Sequence, residues 1–168
     1  MQPPGRLDGM RVHIGSDHAG FEVKNRLVEA LRAARLEVVD HGPHVYDALD
    51  DYPPFCIRTA EAVATDSGSL GVVLGGSGNG EQIAANKVAG IRAALAWSME
   101  TARLAREHNN AQVVSVGARM HSYDEVLQMV EVFVRTPFSG EGRHVRRIEM
   151  VGHYEDTGEV PSPAPSSG

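Results

Sequence analysis

Between Gly75 and Lys87 the chain reads GGSGNGEQIAANK, a run of glycine, hydroxyl and amide residues closed by an acid at Glu81. Backbone N–H groups at Gly76, Gly78, Asn79 and Gly80, ahead of a helical stretch, form a cradle for an anionic oxygen. Two nucleotide motifs can be tried on these letters. In G-x-x-x-x-G-K-[ST], Gly75 and Gly80 fit, but Glu81 and Gln82 replace the lysine and the hydroxyl, and Glu81 would repel a triphosphate. In G-x-G-x-x-G, Gly76 and Gly78 fit, and the third glycine is again Glu81. A carboxylate beside an oxyanion cradle suits another chemistry, proton abstraction next to a carbonyl with formation of an enediolate. In the first helical turn, Glu81 is expected to be kept ionised by the helix dipole. A glycine turn followed by a helix-stabilising Glu accounts for the same letters, and the loop alone does not separate the two.

Other residues carry chemistry of their own. Asp17 and His18, in SDHAG, could bind hydroxyls or shuttle protons, although Asp17 could equally cap the following helix. His108 and Asn109, in REHNN, end a helical run, where a histidine also complements the dipole. Because that run precedes the fifth strand, His108 is expected at the opposite sheet edge from Asp17 and Glu81, so that a partner subunit would have to supply it. Arg119 follows the fifth strand. Arg143 and Arg147, four apart in GRHVRRI, share a helix face and suit a phosphate, or else form a solvated basic face; His144 and Arg146 beside them have no case of their own. Asp40, His41, His44, Asp47, Asp50 and Asp51 match no standard ligand spacing, so no metal is expected. Cys56, in a half-apolar helical segment, is expected in the core.

These groups need a frame. Strand-like runs at Met10–Gly15, EVVDHG, LGVVLGG, IRAALAW and AQVVSVG alternate with helical runs, among them GFEVKNRLVEALRAARL, SMETARLAREHNN and SYDEVLQMVEVFVRT. Ser98 is a plausible N-cap, Pro53 and Pro54 suit a helix opening, and GEGRHVRRIEMVGHYE adds a C-terminal helix. Five alternations imply an α/β fold: one Rossmann-like three-layer αβα domain with a five-stranded parallel sheet. Ligands then bind at the carboxyl ends of strands, where the glycine loop falls. The domain is expected over residues 10–154, after a flexible start (1–9) and before a disordered Pro/Ser-rich tail (155–168). The 168 residues carry 16 basic and 22 acidic side chains, a net charge of −6, which argues against nucleic-acid or membrane-surface binding. With one cysteine, no signal peptide and no transmembrane-length run, a cytoplasmic protein is expected.

Taken together, GSDHAGFEVK, DYPPF, GVVLGGSGNGEQIAANKVAGIRAAL and AREHNNAQVVSVGARM closely resemble the type B ribose-5-phosphate isomerase family, which includes galactose- and allose-6-phosphate isomerases. The resemblance runs from about Met10 to Tyr154 and is strongest to the actinobacterial branch. It implies a metal-free, cofactor-free aldose–ketose isomerisation of a phosphosugar through a cis-enediolate, in the non-oxidative pentose phosphate pathway. It further implies a homodimer with sites shared between subunits. Many members use a Cys as base where this chain has Ser77, a hydroxyl too weak to serve unaided; members resembling this chain use the Glu four residues on, here Glu81. By the same resemblance, Ser77 and the amides of Gly76, Gly78, Asn79 and Gly80 hold the enediolate oxygens. Asp17 moves a proton between O1 and O2, His108 donates a proton in furanose opening, and Asn109 binds a sugar oxygen. His18, Arg119, Arg143 and Arg147 hold sugar or phosphate. A hexose 6-phosphate isomerase and a catalytically silent phosphosugar-binding module stand as alternatives.

Overall fold

Val72, Val73 and Leu74 are all fully buried, as an apolar run must be when both of its faces are covered. A computed structural model describes residues 9–163 of the chain. The expected flexible start, apart from Gly9, and the last part of the expected tail lie outside the described residues. The element order is β1 (Arg11–Ser16), α1 (Phe21–Ala33), β2 (Glu37–Asp40), α2 (Tyr52–Thr65), β3 (Leu70–Gly75), α3 (Asn79–Ala85), β4 (Ala93–Leu95), α4 (Met99–Asn109), β5 (Val113–Gly117), α5 (Tyr123–Arg135) and α6 (Gly142–Thr157). The five strands form one sheet in the order β2-β1-β3-β5-β4, and every pairing is parallel.

Side chains on alternate strand positions sort into two cores, which makes the three layers. Val72, Leu74, Val114 and Val116 pack with Leu27 and Leu31 of α1, Ala102 of α4 and Phe133 of α5. Val73 and Val113 face the other way, onto Cys56, Ala60 and Val63 of α2 and Ala84 and Ala85 of α3. Cys56 is fully buried, and burial pushes its thiol pKa far above the usual value; it is a core residue, as its segment suggested.

Local signals placed most boundaries. Pro53 and Pro54 lie in the first turn of α2, where a missing N–H costs no hydrogen bond. Ser98 caps α4 in a reciprocal box with Thr101, and Asn110 ends it in the left-handed conformation. The third helix stops at Ala85, where the Asn86 side chain bonds both backbone groups of Ala93, at 2.9 and 2.8 Å, and turns the chain into β4. The last helix runs to Thr157, two residues beyond the helical run read from sequence and into the expected tail, before Gly158 ends it in the left-handed conformation.

Candidate active site

β3 delivers Gly75 to the carboxyl edge of the sheet from its central position, with β1 and β5 on either side. The chain then turns back through Gly78, whose φ of 84° is left-handed, a state glycine adopts without a Cβ penalty. Ser115 Oγ of β5 donates to the Gly78 carbonyl at 2.7 Å and pins the loop to the sheet. Within the loop the Ser77 hydroxyl accepts from the Asn79 N–H at 3.3 Å and from its Nδ2 at 3.2 Å. The N–H groups of Ser77 and Gly80 donate to no acceptor among the described residues, which leaves them for an incoming oxygen.

Glu81 folds back beneath this loop and is 4% exposed. Its carboxyl presses on Gly75 so closely that a Cβ there would lie 1.8 Å from Oε1. Burial raises the Glu81 pKa above the ordinary carboxylate value; its own amide pulls the other way, the charge of Asp17 adds to the rise, and the Gly78 amide opposes it least. The 7-residue α3 favours the carboxylate less than its removal from water disfavours it, so the net shift is upward.

Asp17, at the end of β1, is 7% exposed. Its Oδ1 accepts from the N–H groups of Ala19 at 2.9 Å and Gly20 at 3.2 Å, closing the turn into α1; Oδ2 stands 4.0 Å from His18 Nδ1. Asp17 is therefore not the cap of α1, which is Gly20 with no side-chain partner; its Oδ1 closes the turn before the helix. His18 donates both its backbone N–H and Nδ1–H to Asp50 Oδ1, each at 2.8 Å, and Asp50 raises the His18 pKa. The ligand-type atoms of Asp17, His18 and Asp50 lie within 4.8 Å of one another. The 2.8 Å contact marks His18 and Asp50 as a proton-sharing pair rather than as two ligands spread around an ion.

Arg119 joins this group from the loop after β5. Its N–H donates to the Gly76 carbonyl at 3.0 Å, and its side chain lies alongside Gly76 and near Ala19. His18 and Arg119 both line a cavity of about 450 Å³ that extends over α1 past Phe21, Asn25 and Arg26 to Tyr46. One sheet edge therefore gathers Glu81, Ser77, Asp17, His18, Arg119 and the glycine amides.

The other expected residues form a second group. His108, at the end of α4, stacks on His144 of α6 with ring centroids 4.2 Å apart, and Ser139 Oγ lies 2.8 Å from His144 Nδ1. The Asn109 carbonyl accepts from Arg92 Nε at 2.9 Å. Arg143 is exposed and held 2.9 Å from Glu141; Arg147, one turn on, is exposed as well. This cluster lies toward the amino ends of the strands, as α4 leads into β5. No hydrogen bond, ion pair or ring contact among the described residues links it to Glu81 or Asp17. Two residues with no role in the sequence reading enter here. Asp50 grips His18, and His144, 3% exposed, supports His108. Asp50 adjoins the DYPPF segment, which was the available signal; His144 offered none, since its burial comes from the contact between α6 and α4.

Known proteins can now be set beside this geometry. The model of the Ribose/Galactose Isomerase family matches residues 12–151. The chain is 56% identical over 161 residues to ribose-5-phosphate isomerase B of Mycobacterium tuberculosis, covering 96% of this chain and 99% of that one. It is 54% identical over 161 residues to ribose-5-phosphate isomerase B of Mycobacterium leprae, with the same 96% and 99% coverage. Among solved structures, ribose-5-phosphate isomerase B from Mycoplasma genitalium with bound ribulose-5-phosphate superposes with a TM-score of 0.85 at 39% identity, covering 89% of this chain and 99% of that one.

Proposed function

The chain belongs to the ribose/galactose isomerase family, and from that premise we propose that it is a ribose-5-phosphate isomerase, interconverting D-ribose 5-phosphate and D-ribulose 5-phosphate through a cis-enediolate. The observation that carries the chemistry is the Glu81 carboxyl, buried against Gly75 beneath the glycine loop. Burial raises its pKa and so strengthens it as a base at neutral pH, while it remains a carboxylate able to return the proton.

In the forward direction Glu81 removes the C2 proton of the open-chain aldose. The electron pair forms the C1=C2 bond of the enediolate, and the same proton is delivered to C1. Charge that develops on O1 and O2 meets the N–H groups of Ser77 and Gly80 and the Ser77 hydroxyl, an arrangement worth most in a site shielded from water. Asp17 Oδ2, the oxygen that closes no turn, moves the proton between O1 and O2. His18 and Arg119 hold the anionic end of the sugar.

The remaining roles fall on the second cluster, which one chain cannot bring to Glu81. We place them across a homodimer. His108 of the partner subunit protonates the furanose ring oxygen in ring opening, Asn109 of the partner subunit binds a sugar oxygen, and Arg143 and Arg147 of the partner subunit clamp the phosphate. Charge supports this pairing, since one cluster is acidic at its base and the other presents two exposed guanidiniums. A two-fold axis would build two such composite sites at once. No helix among the described residues is long and apolar enough to cross a membrane, and we place the enzyme in the cytoplasm, where its phosphosugar substrate is handled.

The test is proton NMR of ribose 5-phosphate in D2O with a chelator present, with wild type and Glu81→Gln in parallel. Loss of the C2 proton signal and appearance of ribulose 5-phosphate with the wild type alone is the expected result. Absence of both exchange and conversion with wild type, on pentose and hexose phosphates alike, would leave only a phosphosugar-binding module.

A further inference from the structure

We propose that Asp50 is a positioning residue that fixes the His18 ring in one orientation with Nδ1 protonated, leaves Nε2 for the phosphate end of the site, and favours protonation of that second nitrogen. The proposal rests on the reading of that site given above. Asp50 and His18 are 32 residues apart, yet one carboxylate oxygen takes both the backbone N–H and the ring Nδ1–H of His18 at 2.8 Å. A carboxylate only accepts, so Nδ1 must carry the proton, and Nε2 is the ring nitrogen left for a ligand. The Asp50 side chain is 10% exposed, and its second oxygen is buried with no partner. A buried carboxylate with one unsatisfied oxygen is costly unless a cation compensates it, and His18 is the group in contact with it.

The loop that leads to Asp50 is tied down at its start, and the Asp50 N–H donates to the Asp47 carbonyl at 3.2 Å. Lys24, fully buried, donates to Asp40 Oδ2 at 2.6 Å, and Asp40 Oδ1 accepts the Gly42 N–H at 2.8 Å. The Gly42 carbonyl in turn accepts the Ser16 N–H at 3.0 Å. The segment leading to Asp50 thus starts from a point tied to both α1 and β1, one residue before Asp17.

The charges facing His18 are those of Asp17, Asp50 and Arg119, with Glu22, Arg26 and Glu29 farther along the same cavity. Asp50 is the largest influence on the His18 pKa and raises it. A cationic His18 beside Arg119 offers the phosphate two donors from one subunit. A neutral His18 with its proton on Nδ1 would turn the Nε2 lone pair toward the phosphate and donate nothing to it.

The variant that tests this is Asp50→Asn, which keeps the shape and an acceptor oxygen and removes the charge. His18 is followed by 1H–15N NMR of the ligand-free protein, its signals assigned by comparison with His18→Gln. The Asp50→Asn titration midpoint is expected to fall, the KM for ribose 5-phosphate to rise about tenfold at neutral pH with kcat within about threefold, and the KM rise with pH to begin at lower pH than in wild type. The effect on KM should vanish in a His18→Gln background. An unchanged His18 titration, or a fall in kcat with KM unmoved, overturns the proposal. If Asp50→Asn does not fold, the wild type still decides: its neutral His18 must be the Nδ1–H tautomer, and an Nε2–H tautomer refutes the assignment. The NMR readout needs no substrate, so a protein that fails to isomerise ribose 5-phosphate while His18 behaves as stated would refute the proposed function and leave the Asp50–His18 link standing.

Discussion

Gly75→Ala should separate the position of the Glu81 carboxyl from the stability of the fold. A methyl group at residue 75 would lie 1.8 Å from Glu81 Oε1, 2.1 Å from Cδ and 2.7 Å from Oε2, whereas real Cβ atoms essentially never approach below 3.0 Å. The carboxyl must therefore retreat by at least ~1.2 Å, a displacement of the order that costs about 10²-fold in rate when a reacting group leaves its attack geometry. The obstructing atoms are the tip of a flexible side chain, so the fold can accommodate the methyl. Gly75 is not in the left-handed region, and loss of a glycine removes unfolded-chain entropy worth roughly 0.4–1 kcal/mol where the backbone tolerates it. Steady-state kinetics with ribose 5-phosphate, alongside thermal unfolding, form the assay. The expected result is kcat reduced about 10²-fold, KM close to wild type, and a melting temperature within a few degrees of wild type. In a Glu81→Gln background the same substitution should cost almost nothing further, because the group it displaces is already inert. A folded Gly75→Ala enzyme with kcat within about threefold of wild type would refute the idea that the buried carboxyl must sit against Gly75, and the base assignment with it.

Glu81→Gln should lower kcat by about 10²–10⁴-fold, the usual contribution of a positioned base, as measured by exchange of the sugar C2 proton. The same variant should be more stable than wild type at neutral pH. The folded pKa of Glu81 lies above its ordinary value of 4.5, so the wild type loses stability as pH rises from that value through the raised one, and the variant does not. Denaturant melts at acid and neutral pH check this, and a stability difference that grows toward acid pH would contradict the stated direction. Arg143→Ala should chiefly raise KM, and an unchanged KM removes it from the phosphate site. Mixing inactive Glu81→Gln with inactive His108→Gln under conditions of subunit exchange should restore about a quarter of wild-type activity, since random pairing leaves that share of composite sites intact; no recovery despite proven exchange would place both residues in one subunit's site.

What could be read from the amino-acid order was whatever depends on near neighbours. The alternation of apolar strands with periodic helices fixed the layered α/β class, Ser98 and the Asn pair marked the ends of α4, and Glu81 spoiled two nucleotide motifs at one letter. The connection from α4 into β5 was enough to put His108 at the far edge. Tertiary structure decided everything that rests on distance through space. The order β2-β1-β3-β5-β4 sends β4 to the rim and brings the ends of β1, β3 and β5 side by side, so that Asp17, the glycine loop and Arg119 converge. The grip of Asp50 on His18 spans 32 residues, with no periodicity to announce it. The direction in which the Glu81 pKa moves was hidden from sequence for the same reason: the helix dipole is a local property that the letters reveal, whereas desolvation depends on which distant segments exclude water, and for a carboxylate under a packed loop desolvation is the larger effect.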